Sequence, residues 1–241
     1  MLTQAEARIY LKTQRGLTQS EGFRSYHTFN FGDYISEGKE PVGQLIAFND
    51  QILNAGQRVG IEVSSPTEII LLPVVGGLEL VDGAGESVFI GVGESFRFIA
   101  FPENDFKISN PYPVETVNYL QIHLRPNMSD TALNNLLDDS PLNVFSLEEK
   151  NKLVPAFTSS DKTVVGKIGL YGGRQEETVV NQNTANVLFS YVISGAFEVQ
   201  NRLLEVGDAL TLWNAEELEF EALSDGAVVL VMEVGESLKP S

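Results

Sequence analysis

The chain has 241 residues and a mass of 26.4 kDa, enough for two small domains or one large all-β unit, and 43% apolar against 20% charged residues is the balance of a folded protein. Sixteen basic against 33 acidic residues leave a net charge of −17, which repels phosphate backbones and anionic lipid headgroups and speaks against direct nucleic-acid or membrane partners. There are no cysteines and only two histidines, His27 and His123, so disulfides, thiolate zinc and cysteine nucleophiles are excluded and imidazole-rich metal sites are starved of ligands.

Residues 1–16 lack the apolar core of a secretory signal, and no run approaches the ~18 apolar residues needed to span a bilayer. With the absence of cysteine, this gives the expectation of a cytoplasmic protein. Short apolar runs then follow at 44–50, 67–81, 86–101 and 116–126, each broken by glycine or another turn former, and they predict strands. Residues 127–159 read differently. Ser129 precedes an apolar pattern at Leu133, Leu136 and Leu137, and Ser146 with Glu149 has the spacing of a capping box. One or two short helices are expected there. Beyond them, strands resume at 163–173, 186–200, 203–213, 218–223 and 227–234.

The two strand-rich halves repeat one pattern. Gly77-Leu78-Glu79-Leu80 aligns with Gly195-Ala196-Phe197-Glu198-Val199, and Val92-Gly93-Glu94 falls near Val206-Gly207-Asp208. Thirteen residues beyond Gly93 and Gly207 stand Phe106 and Phe220. The organisation expected is an all-β chain in which one barrel unit, of the kind a cupin forms, is used twice, at 1–126 and at 160–241, joined by a short helical connection at 127–159.

Arg15-Gly16 followed by Ser25-Tyr26-His27-Thr28-Phe29-Asn30-Phe31-Gly32-Asp33-Tyr34 resembles the signature of the pirin family. Residues 43–50 and 120–126 are similar to two further motifs of that family. The resemblance implies two cupin barrels face to face, with one iron in the first barrel held by three histidines and a glutamate. It also implies either quercetin 2,3-dioxygenase activity or a role as a transcriptional coregulator.

Carried across position by position, the ligand set of the family changes. Its first two ligands fall on Glu62 and Ser64, and its second two on Phe106 and Ile108. No iron is therefore expected, and Phe106 and Ile108, alternating on one strand, would place an apolar plug where the metal sits. A weaker alternative is an oxygen site of Glu62 and Glu68 with Asp105 or Glu103, suited to Mg²⁺, Ca²⁺ or Mn²⁺. His27, inside the signature, reads as a hydrogen-bonded structural histidine. Tyr119, Gln121 and His123 share one face of a strand; were that face the lumen, Tyr119 and His123 would supply an acid and a base for a metal-free isomerase or epimerase. Phosphate-loop and serine-nucleophile motifs are absent. The reading is a metal-free, non-catalytic bicupin that binds a small molecule or a protein partner, with a cupin enzyme as the alternative.

Overall fold

Strands that alternate between two buried faces dominate the computed structural model, which describes residues 6–126 and 141–236. The first part of the chain forms β1 (Glu6–Tyr10), β2 (Gly16–Ser20), β3 (Phe23–His27), β4 (Leu45–Leu53), β5 (Arg58–Ile61) and β6 (Thr67–Val75). It continues with β7 (Leu78–Val81), β8 (Ser87–Ile90), β9 (Glu94–Ala100), β10 (Phe106–Ser109), β11 (Val117–Leu124) and β12 (Leu142–Val144). The second part forms β13 (Leu153–Thr158), β14 (Val164–Tyr171), β15 (Glu176–Val180), β16 (Val187–Ser194) and β17 (Ala196–Val199). It ends with β18 (Arg202–Glu205), β19 (Ala209–Trp213), β20 (Glu217–Ala222) and β21 (Ala227–Val234).

The repeat in the sequence is a repeat in the topology. One four-stranded sheet runs β5-β10-β7-β8 and its counterpart runs β15-β20-β17-β18, the same order advanced by one barrel. The larger sheets run β12-β9-β6-β11-β4-β3-β2 and β1-β19-β16-β21-β14-β13. The chain folds as two tandem cupin-type barrels, each a small sheet facing a large one.

Three strands depart from the expected division at 126 and 160. β1 pairs antiparallel with β19 of the second barrel, Tyr10 opposite Ala209, and β12 pairs with β9 of the first, Leu142 opposite Phe96. β9 and β19 occupy equivalent edges, and each edge's open N–H and C=O groups are met by a strand from outside its own repeat. β13 likewise joins the second barrel from inside the expected connection.

The helix expected at Ser146 is not formed. Residues 146–149 are irregular, and Ser146 Oγ accepts a hydrogen bond from the Glu148 N–H at 3.2 Å, a local turn that satisfies the hydroxyl without a helix behind it. The pattern at Leu133, Leu136 and Leu137 lies outside the described residues. Among the described residues no helix is long and apolar enough to cross a membrane.

The barrels share a core. Phe48, Ile70, Leu120, Ile122 and Leu124 on the outer face of the first barrel's large sheet pack with Phe189, Tyr191, Leu230 and Met232 of the second. Phe48 meets Phe189 at 5.0 Å and Tyr191 at 4.8 Å between ring centroids. This packing decides which face of β11 looks inward. With Leu120, Ile122 and Leu124 committed to the neighbouring barrel, Tyr119, Gln121 and His123 must face the first lumen.

The second lumen is packed shut. Tyr171, Phe197 and Phe220 make three edge-to-face contacts at 5.1–6.0 Å between centroids, amid leucines and valines with almost no exposure.

Candidate functional site

In the first barrel, by contrast, β3, β4 and β11 place polar side chains on an inward face. Across these three strands Ser25 lies opposite Gln51, His27 opposite Asn49, Gln51 opposite Tyr119, and Asn49 opposite Gln121. Period-two alternation puts Ala47, Asn49 and Gln51 inward and leaves Phe48 facing the other barrel. A cavity of about 640 Å³ opens against this wall. Ser25, His27, Gln51, Gln121 and His123 line it on the large-sheet side, and Val59 and Ile61 of β5 line it on the small-sheet side. Glu62 and Ser64, both exposed, follow β5 at its mouth.

The two histidines differ in their bonding. His27 is wholly buried, with Nδ1 2.8 Å from Asn49 Oδ1 and Nε2 2.9 Å from Thr18 Oγ1. If the amide oxygen accepts, Nδ1 carries the proton and Nε2 accepts from the threonine hydroxyl. Burial lowers its pKa, the Asn49 hydrogen bond opposes that shift, and the Arg15 charge adds to it. His123 is 4% exposed and its Nε2 has no hydrogen-bond partner. Burial, with a smaller push from His27, takes its pKa down to about 4, so the imidazole is neutral near pH 7. The Phe31 ring lies between the two, 5.0 Å from His27 and edge-on to His123 at 5.4 Å.

The pirin-like signature is legible here as contacts. A Cβ added at Gly16 would stand 2.3 Å from the Tyr34 ring, so glycine is what lets that ring cover β2, and the same ring stacks near His27 at 6.4 Å. Arg15 runs to the barrel junction, where its buried guanidinium donates to Asp50 and to the Tyr191 hydroxyl.

The residues singled out from the sequence divide accordingly. His123, Glu62 and Ser64 line the cavity. Tyr119 is on the same face of β11 but does not line it: it lies four positions before His123, about 13 Å along an extended chain, and its side chain sits in the apolar cluster beneath. An acid–base pair of Tyr119 and His123 is therefore not assembled. Its hydroxyl has no partner, and burial holds its pKa well above the ordinary tyrosine value. Phe106 packs on Phe98 at 4.9 Å, and Ile108 is fully buried with Ile61, Ile69 and Leu80 in the same cluster.

The three carboxylates of the alternative oxygen site do not converge. Glu68 alternates with the inward Thr67 and Ile69, so it points at the other barrel, where Ser160 donates its N–H at 2.8 Å and its hydroxyl at 3.1 Å. Burial raises the Glu68 pKa against those two hydrogen bonds. Asp105 is exposed and bonds Lys107 at 2.8 Å, and Glu103 is exposed. Among the described residues no three His, Asp or Glu side chains are grouped as metal ligands are.

The sequence reading missed Ser25, Asn49 and Gln51. The signal was present as alternation: in Ala47-Phe48-Asn49-Asp50-Gln51 the two amides, Asn49 and Gln51, stand two positions apart and so share a face.

Comparison with known proteins agrees with this architecture. A family model described as the quercetinase C-terminal cupin domain matches residues 169–234. The bacterial pirin YhhW of Escherichia coli, solved with nickel(II), superposes with a TM-score of 0.77 over 97% of this chain and 100% of its own, at 17% identity. The chain has the fold of the pirin-like cupins. Quercetin 2,3-dioxygenase of Escherichia coli K12 is 23% identical to this pirin-like chain over 229 residues, 92% of it and 97% of the relative. Quercetin 2,3-dioxygenase of Acinetobacter baumannii shares the fold with a TM-score of 0.70 at 13% identity, covering 97% and 87% of the two chains.

Proposed function

We propose that this pirin-like bicupin is a binding protein whose first barrel receives a small molecule without a resident iron. The observation that carries the reading is the cavity of about 640 Å³ lined by Ser25, His27, Gln51, Gln121 and His123 in the first barrel, where the second lumen is filled by aromatic rings.

The family's iron does not suit the residues present. A phenyl ring at Phe106 and a butyl side chain at Ile108 offer no donor, Ser64 offers a neutral hydroxyl, and only Glu62 keeps a carboxylate. Ferrous sites of this type use imidazole and carboxylate together. The single unpartnered imidazole on the cavity wall is one ligand where such a set needs several. No oxygenase step is therefore derived for this chain.

A thermal-shift screen of metabolites on the wild type and on His123→Leu tests the reading. Ligands that raise the melting temperature of the wild type and not of the variant are expected. Ligands that act equally on both would place the site elsewhere, and a screen without any stabilising compound would count against a binding role. The likeness to the Escherichia coli quercetin 2,3-dioxygenases supports a second reading, a dioxygenase with a rebuilt metal site, for which metal content is the discriminating measurement.

A further inference from the structure

Among the described residues Lys39 is the one buried lysine, 8% exposed, in the loop that joins β3 to β4. Two exposed lysines find carboxylates, Lys107 that of Asp105 and Lys152 that of Glu149. No carboxylate among the described residues pairs with Lys39; its Nζ stands 4.8 Å over the centre of the Tyr10 ring instead. The adjacent Glu40 is engaged elsewhere, by Arg8 Nη1 at 3.5 Å and by the Gly38 N–H at 3.0 Å. The loop is fixed around the lysine: its carbonyl accepts from the Asn30 N–H at 2.7 Å, and its own N–H donates to Ser36 at 3.3 Å. Nζ has no hydrogen-bond partner, yet it is not one of the unpaired side-chain atoms sealed from solvent, so solvent reaches it.

Burial lowers the pKa of Lys39, and the positive charges of Arg8 and Arg15 add to the shift, against the attraction of the Tyr10 ring for a cation. Arg8 Nη1 also donates to the carbonyl of Gly38, the residue before the lysine, at 3.1 Å. A desolvated amine beside other cations is the setting in which lysine becomes a nucleophile. The same surroundings select the electrophile. The narrow exposure of Lys39 admits a small, uncharged one. The guanidiniums that penalise an ammonium favour an adduct of negative charge, whereas a neutral amide gains nothing from them. Carbon dioxide meets both conditions, being a neutral triatomic molecule whose adduct with an amine is an anion.

We propose that Lys39 is a carbon dioxide site, converted reversibly to a lysine carbamate that pairs with the guanidinium of Arg8. The neutral amine attacks the carbon, a nitrogen–carbon bond forms, one carbon–oxygen π pair moves onto oxygen, and the surplus N–H proton passes to water. Arg8 lies on β1, which closes the edge of the second barrel by pairing with β19, and Lys39 lies on a loop of the first. The carbamate thus ties the two together. Lys39 does not line the first lumen, so the site is independent of any ligand there.

Chemical trapping on the full chain tests this. The protein is equilibrated with carbon-13 bicarbonate at neutral pH, carbamates are fixed as ethyl esters with triethyloxonium, and the modified lysines are mapped by peptide mass spectrometry. Lys39 is expected to carry several-fold more adduct than any other lysine, and bicarbonate is expected to raise the melting temperature. Lys39→Met, which keeps an apolar chain over Tyr10, is expected to lose one carbamate resonance from the carbon-13 spectrum together with that rise. Arg8→Met, which retains the amine, is expected to hold about three- to fivefold less adduct on Lys39. An unmodified Lys39, or adduct spread evenly over the exposed lysines, would overturn the proposal, and the mapping on the wild type decides this even if Lys39→Met does not fold. Equal adduct in Arg8→Met and the wild type would overturn the pairing with Arg8.

Discussion

Tyr191 of the second barrel donates its hydroxyl to Asp50 of the first at 2.8 Å, on the carboxylate oxygen that also receives Arg15. Asp50 Oδ1 accepts from Asn118 Nδ2 at 2.7 Å, so one carboxylate gathers β4, β11, β16 and the N-terminal segment. Asp50 lies between Asn49 and Gln51, whose side chains belong to the inward face of the first barrel. The junction between the barrels and the wall of the candidate site are consecutive residues of one strand.

Asp50→Asn leaves the Arg15 guanidinium, 1% exposed, without its countercharge. A loss of about 3–5 kcal/mol is expected, because removing one partner strands a buried charge. Tyr191→Phe removes one hydrogen bond and is expected to lose about 1–2 kcal/mol. Combining Arg15→Met with Asp50→Asn should recover part of the first loss, so the double variant is more stable than the sum of the single effects implies. Urea unfolding of the four proteins measures this coupling.

His123→Leu removes an imidazole that makes no hydrogen bond through Nε2 and replaces it with apolar carbon of similar size. In the ligand-free protein the variant is expected to equal or exceed the wild type, by up to about 2 kcal/mol, while losing ligand binding. A strongly destabilised variant would show that the imidazole is structurally satisfied.

Much of this was readable from the chain, and the misses have physical causes. Strand punctuation, the repeat and the signature led to two barrels because each local signal agreed with the tandem fold. The inward face of β11 was not readable, since a strand buried on both sides has no solvent face to mark outside; the packing of Leu120 and Ile122 on the second barrel decides it. Glu62 and Glu68 are close in sequence, but Glu62 follows β5 at the cavity mouth while Glu68 lies on the outward face of β6 and meets Ser160 instead. The pairing of β1 with β19 joins residues some two hundred positions apart, for which no local pattern exists.

Acid should destabilise the protein through His123. Its folded pKa of about 4 lies below the ordinary 6.5, so between these values the unfolded chain binds a proton that the folded chain does not. Stability from this group is complete above pH 6.5 and falls as the pH drops toward 4, by about 3 kcal/mol over the window. His27, also lowered by burial, acts in the same direction, and Glu68, whose pKa is raised, acts in the opposite one. Urea midpoints at pH 7 and 4.5 should therefore differ less in His123→Leu than in the wild type.

The filled lumen of the second barrel is expected to be structural alone. Phe220→Ala empties one corner of the Tyr171, Phe197 and Phe220 cluster and should remove about 3–5 kcal/mol. Ligand affinity at the first barrel, measured below the variant's melting temperature, should not change. An altered affinity would show that the second lumen acts on the first.

Metal content tests the central claim most directly. The full chain, expressed with added iron and purified without chelators or a histidine tag, is analysed by plasma mass spectrometry. The account predicts iron, manganese and nickel at background, together with ligand-induced stabilisation that survives treatment with a chelator. Close to one metal ion per chain, removed by the chelator along with the stabilisation, would contradict it.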